Sequence, residues 1–194
     1  MRLQLFFAAT SAATLFAAAV SAQPASQSMP MRDAGDAMAK PVGMASASTL
    51  GSMKASAFVE NAARSDMYEI KAAKLAEVKS SDPAIEKFAH AMIPAHTETT
   101  LGLKAALRRS GLHISPPTML DARRQGMLDN LKASSGAEFD KRYVAQQVAA
   151  HEEALALMQG YAAHGDNAAL QAAAAKTAPL VQSHLDMAKQ LPGV

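Results

Sequence analysis

The stretch DPAIEKFAHAMIPAHTETTLGLKAALRRSG, residues 82–111, decides the fold. Ile85, Phe88, Met92, His96, Leu103 and Leu107 recur in it at helical spacing, so they share one face of a helix. Asp82 is a good N-cap, and Pro83 fits the first helical position, where its missing N–H costs nothing. Gly111 is the stop. Pro94 lies inside the helix and crowds the carbonyl of His90, which predicts a kink one turn before His96. The stripe is apolar except for one imidazole in its middle.

That setting repeats. Tyr143, Gln147, His151, Ala154, Met158 and Tyr161 form a second stripe around a histidine. Leu170, Ala174, Thr177, Val181, His184, Ala188 and Leu191 form a third. An earlier stripe, Val59, Ala62, Asp66, Glu69, Ala73 and Ala76, carries carboxylates in the equivalent place. Each helix points a polar group at whatever its apolar face buries, which describes a polar layer inside a helical bundle.

Caps and turns set the helix boundaries. The first helix is expected from about Lys54 to Lys79, ended by Ser80-Ser81-Asp82, and the second from Pro83 to about Ser110. Thr118 is expected to cap a third, shorter helix ending near Ala133, with Asp121 in the capping-box position. Ser135 with Glu138 reads as a capping box opening a fourth helix that ends near His164. After Gly165-Asp166-Asn167, with Asp166 as the expected cap, a fifth helix runs to Gln190, interrupted by Pro179. The third helix, at about 16 residues and ~1.5 Å each, is long enough to carry the chain back along a bundle. The expectation is an all-α, up-and-down four-helix bundle with a short crossover helix. His96 lies 14 positions after Asp82, His151 16 after Ser135, His184 18 after Asp166, and Glu69 13 before Asp82. All four then fall within roughly one helical turn of a common level.

Ahead of the bundle, Arg2 and the charge-free run from Leu3 to Val20 read as a secretory leader over residues 1–22. Val20-Ser21-Ala22 offers small residues for cleavage before Gln23. The expected location is periplasmic or secreted. No later run is long enough to span a bilayer, so any membrane association is expected to be peripheral. Residues 23–53 mix Pro, Gly, Ser and Ala without a period and read as a flexible linker before a domain over 54–191. The linker carries Met29, Met31, Met38, Met44 and Met53. Thioethers suit Cu(I), but a low-complexity tether explains them as well. The chain has no cysteine, which removes disulfides, thiolate ligands and a thiol nucleophile. Of 19 basic side chains, Arg2 goes with the leader, which leaves 18 against 17 acidic ones. A net charge of +1 without a basic run gives no footprint for nucleic acid.

Phe58-Val59 with Glu69-Ile70, Phe88-Ala89-His90-Ala91-Met92 with His96, Phe139-Asp140 with Tyr143 and His151, and Leu180 with His184-Leu185 resemble a known family. It is the bacterial exported family of unknown function with a ferritin-like helical fold, whose members are often labelled outer membrane proteins. The resemblance covers about Ala57 to Leu191 and rests on the order and spacing of its motifs. It implies the fold and an envelope location, and no established activity. Family members commonly carry an acidic residue just before the first histidine, where this chain has Ala95. A transmembrane barrel would need alternating strands, and the sequence offers none.

Two function classes follow. The favoured one is a non-enzymatic envelope protein, a stress or interaction module, in which a buried His/Glu layer is structural. The other is a mononuclear metal-binding or metal-sensing bundle. Three imidazoles and one carboxylate, His96, His151, His184 and Glu69, suit a divalent transition metal. Asp66 and Tyr143 are expected as hydrogen-bond partners behind those ligands. The Glu-x-x-His pairs of di-iron proteins are absent, as is Gly-x-Ser-x-Gly, so no catalytic constellation is complete. Glu86 and His90, four apart, read as a surface pair, and His113 and His164 as exposed.

Overall fold

A computed structural model describes residues 54–193. The leader over 1–22, the linker over 23–53 and the linker methionines lie outside the described residues. Among the described residues there are five helices and no strand: α1 (Ala55–Lys79), α2 (Pro83–Ser110), α3 (Ala122–Ala133), α4 (Gly136–His164) and α5 (Ala168–Ala188). None of them is long and apolar enough to cross a membrane.

The caps explain most of the boundaries and correct three expectations. Asp82 accepts from the backbone N–H groups of Ala84 (2.8 Å) and Ile85 (3.2 Å), and Gly111 closes α2 at φ 70°. The third helix starts at Ala122 rather than near Thr118, because Asp121 is its cap and accepts from the Arg124 N–H. At 12 residues it spans only ~18 Å, so the non-helical stretch 112–121 supplies the rest of the return. Ser135 precedes α4 but closes no side-chain cap bond. Gly136, at φ 56°, turns the chain through the left-handed region there, which departs from capping-box geometry. Asn167, not Asp166, caps α5, accepting from Ala169 and Leu170. Asp166 instead accepts from the N–H of Ala55 (2.8 Å) and the hydroxyl of Tyr161 (3.1 Å), so it anchors the start of α1, which has no cap of its own. Helix α5 ends at Ala188 and runs through Pro179 without a break, as α2 runs through Pro94. A proline removes one donor, and neighbouring helices hold the rest of the ladder.

The connecting bonds fix the directions. Asp166 joins the start of α1 to the α4–α5 turn, and the Asn167 amide donates to the Ser110 carbonyl (3.1 Å) at the end of α2. At the opposite end, Lys79 Nζ donates to the carbonyls of Lys132 and Ser134, both at 2.6 Å. Helices α1 and α5 therefore run one way and α2 and α4 the other. Packing runs α1–α2, α2–α5, α5–α4 and α4–α1, so each long helix touches two antiparallel neighbours. Helix α3 lies against α1 and α4. Arg123 and Arg124 grip Glu153 of α4, at 2.6 and 2.7 Å, to hold it there.

The apolar interior is in two parts. One cluster gathers Tyr68, Ile85, Phe88, Met92, Phe139 and Tyr143. The other gathers Phe58, Leu103, Leu157, Tyr161, Leu170 and Val181, with the Phe58 and Tyr161 rings stacked at 4.1 Å. Asp66, Glu69, His96, Gln147, His151 and His184, all buried, occupy sequence positions between the two on every long helix. The fold thus places a polar layer mid-height, walled by hydrocarbon above and below.

Candidate metal centre

Helix α2 supplies His96, α4 supplies His151 and α5 supplies His184, each from the interior face of its stripe. The three are 3%, 1% and 4% exposed. Their ring centroids form a near-equilateral triangle, 5.6 Å from His96 to His151, 5.5 Å from His96 to His184 and 5.6 Å from His151 to His184. Each ring offers a ligand atom, and these atoms all lie within 4.8 Å of one another. Bonds of about 2.0–2.1 Å to a tetrahedral ion need nitrogens ~3.3 Å apart.

Hydrogen bonds fix the tautomers. His96 Nδ1 donates to Asp66 Oδ1 at 3.0 Å, since an ionised carboxylate only accepts. His151 Nδ1 donates to the Gln147 carbonyl at 2.8 Å. This leaves His96 Nε2 and His151 Nε2 enclosed and without a partner, and His184 Nδ1 is in the same condition. One buried nitrogen of each ring therefore lacks a partner. Leaving a buried polar atom unpaired costs about 1–3 kcal/mol.

Asp66 is itself held. The hydroxyl of Thr99 donates to its Oδ1 (2.7 Å) and that of Thr100 to its Oδ2 (3.0 Å). The sequence reading assigned Asp66 this supporting place but missed the two threonines and the Gln147 carbonyl. Thr99 and Thr100 follow His96 by three and four positions. That spacing puts them near the same face of α2, and it was the available signal.

Glu69 is buried beside the triangle without joining the close group of ligand atoms. Both of its oxygens lack a hydrogen-bond partner. The Gln147 carboxamide faces it and favours its ionised form, but no hydrogen bond between them is closed. Tyr143 does not bond a histidine. Its ring packs edge-on against Phe88 and stacks with Phe139, and its hydroxyl is enclosed without a partner.

Electrostatics sorts the three imidazoles. Burial, helped by the charge on His96, pushes His151 down to about 3, against the pull of the Gln147 carbonyl. Burial and His96 push His184 down to about 4. Burial also works against a charge on His96, but the Asp66 hydrogen bond and the negative field of Glu69 and Asp66 outweigh it and raise its pKa. Burial raises Glu69 to about 7, moderated by His96 and Gln147, with Asp66 adding to the rise. At neutral pH His151 and His184 are thus neutral, the form that binds metals.

The remaining histidines lie elsewhere. His90 pairs with Glu77 at 3.0 Å on the surface, rather than with Glu86. The α1–α2 hairpin brings Glu77 across, a contact that spacing along one helix does not reveal. His113 and His164 are exposed, as expected.

Residues 40–191 match the family described as Domain of unknown function (DUF4142). The chain belongs to that family. No curated protein and no solved structure matches it. The match covers the whole histidine layer of this DUF4142 protein, and it carries no assigned activity.

Proposed function

We propose that this DUF4142 protein binds a divalent transition metal ion in the layer formed by His96, His151 and His184, with Glu69 as the acidic partner. Two observations carry the reading: each of the three rings brings a nitrogen within 4.8 Å of the others, and each has one buried nitrogen without a partner. The other nitrogen of His96 is held by Asp66 and that of His151 by a carbonyl, the arrangement that orients metal-binding histidines. Sequence alone favoured a structural layer. A structural layer would pair these atoms with buried water; we favour the ion because three unpaired nitrogens, from three helices, belong to one close group of rings. The structural reading keeps one observation in its favour: the His96–Asp66–Thr99–Thr100 network is complete without an ion.

Around the site the proposal follows the sequence. The four long helices form a ferritin-like up-and-down bundle with α3 as its crossover. The leader directs the protein to the periplasm or beyond, and any contact with the envelope is peripheral. The role is binding or sensing rather than catalysis, and no nucleic-acid partner is invoked. The test is thermal unfolding of tag-free wild type and His151→Ala, in chelator and then with Zn²⁺, Cu²⁺ or Ni²⁺. Wild type should gain about 2.7 kcal/mol at a free metal concentration one hundred times Kd, and the variant should gain none. A wild-type midpoint that ignores every metal would falsify the reading.

A further inference from the structure

Glu69 and Asp66 sit one turn apart on α1, yet they stand differently toward the triangle. Asp66 accepts from His96 Nδ1, on the side of the ring away from its orphaned nitrogen. Glu69 has no such engagement. It is 1% exposed, both oxygens are enclosed, and it lies outside the group of ligand atoms that come within 4.8 Å of one another. It is close enough to His96 and Gln147 for both to act on its charge.

The unpartnered atoms around it have a definite chemistry. A carboxylate oxygen accepts only. The Gln147 amide and the Tyr143 hydroxyl, also enclosed and unpartnered, include donors and acceptors, but neither closes a bond to Glu69. An atom that donated to Glu69 and accepted from Gln147 or Tyr143 would satisfy the set. A metal ion offers no proton. Oxygen bound to a metal ion offers both.

The geometry points to an open three-histidine centre in which the ion takes His96, His151 and His184, and a water or hydroxide in its remaining position donates to Glu69. This rests on the metal-binding reading above and deepens it, since it names what completes the coordination. Structural zinc sites close with four protein ligands, whereas three protein ligands plus solvent leave a position for chemistry. Charge supports the arrangement. Three neutral imidazoles bring none, so the two charges of a divalent ion are met by Glu69 through the bound oxygen and by Asp66 through His96. Bound oxygen is also made more acidic by the ion, which strengthens its bond to a carboxylate.

The experiment uses tag-free protein loaded with Cu²⁺ and read by electron spin echo modulation in H₂O and in D₂O. Wild type should show three coordinated imidazoles together with strongly coupled exchangeable deuterons from bound solvent. Glu69→Leu should keep the three imidazoles and the same number of strongly coupled deuterons, with Kd for Cu²⁺ weakened about 10–100-fold by the lost charge. Replacing a buried orphaned carboxylate by leucine is expected to leave the fold intact, and Glu69→Gln gives a second variant of nearly equal shape. No strongly coupled deuteron in wild type overturns the inference. A gain of strongly coupled deuterons in Glu69→Leu over wild type also overturns it, because solvent then replaces Glu69 as a direct ligand, and the metal-binding reading stands. Fewer than three imidazoles in wild type overturns both.

Discussion

Replacing Asp66 probes the support of the layer separately from its ligands. Its carboxylate accepts three hydrogen bonds, from His96 Nδ1 at 3.0 Å, Thr99 at 2.7 Å and Thr100 at 3.0 Å. The residue is 7% exposed, so water does not replace them freely. Asp66→Ala orphans the buried His96 nitrogen, at about 1–3 kcal/mol. It also removes two hydroxyl partners, at about 0.5–1.5 kcal/mol each. Thr99 lies within 3.1 Å of the His96 carbonyl and can turn to it, which discounts one of these. The expected loss is about 2–4 kcal/mol. Asp66→Asn keeps an acceptor for His96 but removes the charge, so it should lose about half as much. The assay is urea unfolding followed by far-ultraviolet circular dichroism at pH 7.5 in chelator. In parallel, the affinity for Zn²⁺ should fall about 10–100-fold in Asp66→Ala, since His96 loses the bond that orients it. An Asp66→Ala protein within about 0.5 kcal/mol of wild type would refute the energetic reasoning. Unchanged metal affinity would refute the orienting role.

The metal-free protein should be most stable near pH ~6.5. His151 and His184 bind fewer protons folded than unfolded, so their contribution is present above 6.5 and is lost as pH falls toward about 3 and about 4. Glu69 works oppositely: its contribution is present below 4.5 and is lost as pH rises through about 7, and the raised His96 acts in the same sense above 6.5. Two histidines against one glutamate leave a net slope of about 1.4 kcal/mol per pH unit between these limits. Denaturant midpoints from pH 4.5 to 8.5 measure it, and a flat profile would contradict the assignment of charges. Gly136→Ala should cost about 1–2 kcal/mol, since φ is 56° and nothing lies within 4 Å of the added Cβ; a neutral result by thermal unfolding would mean the turn relaxes. Asp166→Ala should speed amide exchange in the first turn of α1 while exchange in the middle of the helix stays unchanged. Equal protection there would show that the Ala55 bond contributes nothing.

The helices were legible because local chemistry sets them. Asp82, Pro83 and Gly111 act within a few residues of the ends they define, and α2 has the expected limits. The misplacements all arise where a cap is decided by geometry rather than residue type. Asp166 and Asn167 are both good caps by composition, and only the approach of Ala55 from 111 positions away commits Asp166 to α1 and leaves Asn167 for α5. Ser135 and Glu138 have capping-box spacing, but the left-handed Gly136 between them spoils it.

The layer was legible for a different reason. Periodicity says which face of a helix is buried, and counting from caps says at what height. The two together bring His96, His151 and His184 to one level before any distance is known. They do not say which way a side chain leans. Asp66 and Glu69 share a face of α1 and a height within one turn, and spacing therefore treats them alike. Packing separates them: Asp66 is held at Nδ1 of His96 with Thr99 and Thr100, and Glu69 is left buried with no donor. The distinction between a carboxylate bonded to a histidine and one without a partner lies in rotamers, which no spacing rule encodes. It is also where the chemistry of the site is decided. The first carboxylate fixes which nitrogen of His96 is left without a partner, and the second, in the proposed centre, would receive the hydrogen bond of the ion's bound solvent.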